Sequence, residues 1–435
     1  MTAEMTGLVG ILALLVLLAV RVPVAIAMFI VGLVGITYLR NGDVALSYLS
    51  NDSFALASSA DLLVIPLFIL MGNVATESGM SRKLYDAAYA WIGHWRGGLA
   101  SATVIGSGGF AALSGSSVAS ALTMGRVSLG EMERFGYSPR LSTGAVAAGG
   151  TLGILIPPST GFVLYAILTQ ESIGRLFLAG VVPGLLLMVL FILTIMVMTT
   201  INPSLGPKGP RTSWSNKFTA TIGSLPLIGL VLLTIGGIYG GFFSPTEAAG
   251  MGALLAIAYG LVTRTLTFQG LRTALSDSVS TTAVVMLILI GAHVFGPFLA
   301  LSHVPTMVGN ALAALDIGPY GVLIVILACY LVLGCFLEGF AMLVLTMPIF
   351  FPVITGLGFD PIWFGVVVVV MLEMGLITPP VGMNVFIVKS VAPEVDLGDI
   401  FRGVFPFLIA MVVLVALLIL FPQIALYLPN TMMGV

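Results

Sequence analysis

Apolar runs long enough to cross a bilayer recur along the chain, at roughly 5–20, 22–39, 54–78, 98–125, 141–168, 174–200, 218–240, 245–263, 277–300, 321–355, 362–390 and 403–428, with short polar connections between them. Such a pattern predicts α-helices with lipid as their solvent, because only helices and closed barrels satisfy every backbone group in hydrocarbon. Two runs carry their own breakers. The stretch 143–165 (TGAVAAGGTLGILIPPSTGFVLY) holds Gly149-Gly150, Gly153 and Pro157-Pro158, and 370–384 (VMLEMGLITPPVGMN) repeats the device with Gly375 and Pro379-Pro380. Proline removes a helical hydrogen bond and clashes with the preceding turn, so both runs are expected to be discontinuous helices.

Basic residues cluster at Arg82/Lys83/Arg96, Arg126/Arg134/Arg140, Lys208/Arg211/Lys217 and Arg264/Arg272, whereas 169–173, 241–245, 301–320 and 356–361 contain none. The basic set reads as cytoplasmic. Basic clusters then flank 98–125 on both sides, so this run is expected to enter and return as a re-entrant hairpin. Its turn is expected in the Gly- and Ser-rich middle, 106–120. The run 321–355 is expected to do the same from the opposite side, with Glu338-Gly339 at its tip. About ten full crossings remain, with both termini outside.

An internal repeat accounts for the symmetry. Gly153 recurs as Gly375, Pro157 as Pro379 and Pro23 as Pro245, all at an offset of 222 (375 − 153), and Ser114-Gly115 answers Glu338-Gly339. The expected organisation is a first transmembrane helix (1–21), repeat 1 (22–200), a cytoplasmic linker and transmembrane helix (201–243), repeat 2 (244–428) and a short tail (429–435). Repeat 1 holds the hairpin 98–125 and broken helix 141–168, repeat 2 the hairpin 321–355 and broken helix 362–390. Inverted repeats with discontinuous helices are the architecture of secondary transporters. Segments 79–96 and 303–315 read as interfacial amphipathic helices or ordinary loops. Ser244-Pro245-Thr246-Glu247 spells a capping box.

Composition narrows the class. Of 435 residues, 59% are hydrophobic and 8% charged, which leaves no sizeable soluble domain. The net charge of −2 and the absence of a basic tract argue against nucleic acid. Cys329 and Cys335 share one apolar run and read as small buried hydrophobes. The first twenty residues hold Glu4 and no Lys or Arg, so the start reads as a span rather than a cleaved signal peptide. No phosphate-binding Walker motif, H-E-x-x-H or G-x-S-x-G occurs, so no enzyme activity is expected. Ser114 or Ser116 as the nucleophile of an intramembrane protease, or an open channel, are the lesser alternatives.

Broken helices leave N–H groups along one half-helix and C=O groups along the other without intrahelical partners. Half-helix N-termini favour carboxylates, and unwound carbonyls suit a small cation such as Na⁺. Ser116, Ser117, Ser159, Thr160 and Asn384 are therefore candidates to touch substrate. Glu338 and Glu373 are rare intramembrane ionisable groups, able to bind cation, carry protons or hydrogen-bond backbone.

The motifs AALSGSSVASALTMG, GGTLGILIPPS, SPTEAAG, EGFAMLVLTMPI and EMGLITPPVGMN together resemble the DctM-type large membrane subunit of tripartite ATP-independent periplasmic (TRAP) transporters, over essentially the whole chain. The resemblance implies an all-α, elevator-type membrane transporter in the bacterial inner membrane that takes up an organic acid with Na⁺. It implies a periplasmic substrate-binding protein and a separate small four-helix membrane subunit as partners. Carried over by motif, Na⁺ sites map to Ser114, Ser117, Gly150, Gly153 and Pro157 in one half, and to Gly339, Thr378, Pro380 and Met383 in the other. Proton coupling through Glu338 and Glu373 is the alternative.

Overall fold

A computed structural model describes residues 2–52, 54 and 58–432, so the last three residues of the expected tail lie outside the described ones. Among the described residues the regular structure is entirely helical. In order the α-helices are α1 (Ala3–Ala19), α2 (Val24–Leu39), α3 (Gly42–Ser47), α4 (Val64–Glu77), α5 (Met80–Ile92), α6 (Gly98–Ser114), α7 (Ser117–Arg134), α8 (Pro139–Leu155), α9 (Thr160–Thr169) and α10 (Ile173–Ile201). The second half continues with α11 (Trp214–Tyr239), α12 (Pro245–Val262), α13 (Phe268–Leu301), α14 (Val304–Ala313), α15 (Gly318–Gly334), α16 (Gly339–Gly356), α17 (Pro361–Gly375), α18 (Met383–Val391), α19 (Leu397–Leu420) and α20 (Gln423–Thr431).

Local chemistry explains where these helices start. Ser116, Ser159, Ser172, Ser213, Ser244, Thr267, Asp360 and Asp396 each accept a backbone N–H from the first turn of the helix that follows. The capping box is formed in full: Glu247 Oε2 accepts the Ser244 N–H at 2.8 Å while the Ser244 hydroxyl accepts the Glu247 N–H at 3.3 Å. Both expected interfacial segments are helices, α5 and α14.

Helix starts recur at the spacing of the motifs. α7 and α16 begin 222 residues apart (339 − 117), as do α8 and α17 (361 − 139). Packing sorts the helices into two groups. In one, α2 lies on α13, α4 on α12 and α13, and α11 on α12. In the other, α6 and α7 lie on α8, α15 and α16 on α17, and α10 and α19 close the side. α5 bridges them by touching both α11 and α6. A third relationship crosses the repeats: α9 packs on α16 and α18 packs on α7, so each second half-helix leans on the other repeat's hairpin.

Several expectations are adjusted. Gly106, Gly108 and Gly109 do not form the turn, because α6 continues through them to Ser114 and only Gly115-Ser116 breaks the chain. The first hairpin therefore extends to Arg134 rather than 125. Six of the described helices are by themselves long and apolar enough to cross a membrane, eight when each bent pair is taken as one span. Ten is not reached on length alone, since α1 and α2 have 17 and 16 residues and the two halves of 362–390, α17 and α18, have 15 and 9.

Candidate functional site

Two prolines in a row determine the chemistry of each break. Proline has no N–H, so the carbonyls of Gly153 and Ile154, four residues before Pro157 and Pro158, have no helical amide to meet. Gly375 and Leu376 stand in the same relation to Pro379 and Pro380. Both prolyl pairs contain a cis peptide bond, Pro157-Pro158 and Pro379-Pro380, a shared feature that residue pattern alone does not reveal. α8 and α9 meet at a 41° bend. In the second break the chain finds local partners: Gly375 O accepts the Thr378 N–H at 3.1 Å and Leu376 O accepts the Asn384 N–H at 3.0 Å.

The first hairpin tip sits directly on its own broken helix, the end of α15 packs on the second, and glycine makes both approaches possible. A Cβ on Gly153 would lie 2.5 Å from the Ser116 carbonyl oxygen, and one on Gly150 2.8 Å from the Ala121 Cβ. Gly115 closes the tip in a left-handed conformation (φ 56°), where a Cβ would meet the Pro158 carbonyl at 2.9 Å. Gly375, the repeat mate of Gly153, faces Gly334 of α15, where a Cβ would come within 2.6 Å of the Cα. At Gly153, Gly115 and Gly375 the neighbours are backbone atoms, among them the Ser116 and Pro158 carbonyl oxygens.

The candidate hydroxyls are mostly used in building this junction. Ser116 caps α7 and Ser159 caps α9, each through its oxygen. Thr160 donates its hydroxyl to the Gly115 carbonyl at 2.7 Å, tying α9 to the tip. Ser114 Oγ and Ser120 Oγ are 3.1 Å apart. Thr151 donates back to Ala148 O at 2.6 Å, and Thr378 to Met374 O at 2.6 Å. Glu338 is the N-cap of α16, accepting the Ala341 N–H at 3.3 Å, which is the backbone role among those open to it. Gly339 has open space where a Cβ would stand, and Met383 begins α18.

Two buried side chains keep unspent polar capacity. Ser117 donates to Glu373 Oε1 at 2.6 Å, while Glu373 Oε2 is buried without a partner. Asn384 is fully buried on α18 with neither side-chain polar atom bonded. The Ser117–Glu373 link joins the first hairpin to the second broken helix. Sequence separation hides it, although both residues were candidates individually. Buried polar groups are ordinarily satisfied, so these atoms stand out among the candidate residues.

The two copies differ in exposure. Ile156, Pro157, Pro158 and Ser159 are buried, whereas Pro379, Pro380 and Val381 are exposed. Among the described residues no group of three or more His, Cys, Asp or Glu side chains is placed to hold a metal ion.

A helical membrane protein made of two repeats, each pairing a hairpin with a broken helix, is thus defined. Residues 11–424 match the family described as tripartite ATP-independent periplasmic transporter, DctM component. The chain is 38% identical over 370 residues to the C4-dicarboxylate TRAP transporter large permease protein DctM of Pseudomonas aeruginosa, covering 85% of this chain and 86% of that one. It is 34% identical to the sialic acid large permease SiaM of Vibrio cholerae, covering 86% and 87%, and 32% identical to the ectoine large permease TeaC of Halomonas elongata, covering 95% and 96%. Among solved structures the Alcanivorax borkumensis YdaH transporter shares the fold, with a TM-score of 0.62 at 18% identity over 89% of this chain and 91% of that one. The chain belongs to the DctM family: it is a large permease subunit of a TRAP transporter, and its relatives are transporters rather than enzymes.

Proposed function

We propose that this permease carries an organic acid across the inner membrane together with Na⁺, by an elevator movement of the hairpin-bearing helices against the others. The observation that carries the reading is the seating of the first hairpin tip on the broken helix at Gly153, matched by the close approach of α15 to the second broken helix at Gly375. Na⁺ binds first, among carbonyl oxygens around Ser114, Ser117, Gly150, Gly153 and Pro157, and around Gly339, Thr378, Pro380 and Met383. The filled cages fix the hairpins and so create the substrate site, where the α9 and α18 N-termini, Thr160 and Asn384 meet a carboxylate. Both hairpins are re-entrant and both termini lie in the periplasm in this reading.

A periplasmic binding protein delivers the substrate, and a separate small four-helix subunit completes the permease. Relatives are named for C4-dicarboxylates, sialic acid, ectoine and isethionate, so the substrate class proposed here is a small carboxylate such as a C4-dicarboxylate, a sialic acid or a keto acid. Uptake into proteoliposomes reconstituted with the small subunit and the loaded binding protein, with Na⁺ varied at fixed pH, tests the coupling. A steep rise with Na⁺ supports it. Uptake indifferent to Na⁺ but driven by a pH gradient replaces it with proton coupling, for which the unpartnered Glu373 Oε2 is the site.

A further inference from the structure

A cavity of about 510 Å³ lies where the two helix groups meet, with Ile156 beside the first break and Ala112 of α6 among its lining residues. Leu178, Leu185 and Met188 of α10 form one wall, Val231 and Ile235 of α11 the other, and Gly108 of α6 the back. The lining is almost wholly apolar, and Leu185 and Leu232 are exposed at its mouth, so it opens sideways into the bilayer. An apolar recess facing hydrocarbon fills with hydrocarbon.

The end distant from the basic linker between α10 and α11 carries polar groups. Tyr239 and Leu428 line the rim, and Tyr239 Oη lies 3.3 Å from Thr431 Oγ1. Arg175, on the α10 stripe that continues through Leu178 and Leu185, donates from Nη2 to Asn430 Oδ1 at 3.4 Å. Its Nε is buried without a partner, and Glu171, in the connection just before α10, interacts with its charge without a direct ion pair among the described residues. From Arg175 to Leu185 the helix rises about 15 Å, at roughly 1.5 Å per residue. That is about the depth of one leaflet of a core roughly 30 Å thick.

We infer that this is a phospholipid site, with one acyl chain in the cavity between α10 and α11 and the phosphodiester on the Arg175 guanidinium. A guanidinium suits phosphate because its planar fork donates to two oxygens at once. The lipid chain is then the filling between the two helix groups. None of the cavity's lining residues is among those assigned to Na⁺, so lipid retention is read without any transport measurement.

Native mass spectrometry of the delipidated, full-length protein tests it, with phosphatidylglycerol, phosphatidylethanolamine and diacylglycerol of identical chains as probes. Expected is retention of one molecule of either phospholipid and not of diacylglycerol. Arg175→Gln and the cavity-filling Leu185→Trp should each weaken retention about tenfold, the scale of one hydrogen bond to a charged group, while Arg175→Lys keeps most of it. Equal retention of diacylglycerol, or retention unchanged in both weakening variants, overturns the assignment. Melting curves of each variant separate lost binding from lost folding.

Discussion

The Ser117 hydroxyl donates a 2.6 Å hydrogen bond to Glu373 Oε1 across 256 residues of sequence, connecting a hairpin of one repeat to the broken helix of the other. With Glu373 Oε2 already unpartnered, Ser117→Ala strands a whole buried carboxyl. The expected cost is about 1–3 kcal/mol, seen as a lower melting temperature in detergent. Replacing both residues, Ser117→Ala with Glu373→Met, should recover most of that stability, because no polar group is then left unsatisfied. Uptake should remain lost in the double variant. Recovery of transport together with stability would reduce the pair to a packing device.

Gly153→Ala and Gly375→Ala should each disturb the seating of a hairpin, since a methyl at either position meets backbone rather than a movable side chain. Overpacking of this kind costs about 1–3 kcal/mol. Gly339→Ala is the control: the added methyl enters open space, and stability should change by less than about 0.5 kcal/mol. Thermal unfolding and Na⁺-dependent uptake read both. Equal behaviour of all three would dismiss the close approach.

Thr160→Val keeps the shape of the side chain and removes its bond to the Gly115 carbonyl. A neutral hydrogen bond contributes about 1 kcal/mol, so the half-maximal Na⁺ concentration for uptake should rise about fivefold. Thr160→Ser should behave as wild type. An unchanged Na⁺ response in the valine variant would detach this hydroxyl from the ion site.

Movement between the two helix groups has a direct probe at Gly72 of α4, where a Cβ would lie 2.7 Å from the Ser114 Cα at the first tip. Gly72→Ala sets a methyl against the backbone of the tip, 2.5 Å from the Leu113 carbonyl oxygen, and should slow uptake. Gly250→Ala is the control, since its methyl meets only Leu67 Cδ1 at 3.9 Å and should leave uptake intact. Equal uptake in both variants would rule out sliding at this contact.

How much of this was legible in the sequence varies with the range of the interaction. The capping box at Ser244–Glu247, the breaks at Pro157 and Pro379 and the offset of 222 are local or periodic, and they can be read without coordinates. The turn of the first hairpin falls at Gly115-Ser116, inside the Gly- and Ser-rich 106–120, while the glycines at 106, 108 and 109 signal close packing as readily as a bend. Gly108 faces Met188 and Gly109 faces Leu84, and both stay helical. Glu338 was ambiguous for a different reason, since a carboxylate that caps a helix and one that binds an ion look alike until the N–H of Ala341 is seen beside it. The bond from Ser117 to Glu373 lay beyond reach, because nothing in two separate strings of residues fixes which hairpin leans on which helix.

The unequal burial of the two breaks makes the copies chemically distinguishable although their sequences correspond. Pro379, Pro380 and Val381 are exposed while 156–159 are buried, so a cysteine at Val381 should be modified under conditions that leave one at Ile156 intact. A duplicated sequence thus carries its own internal reference, one break reporting and the other silent.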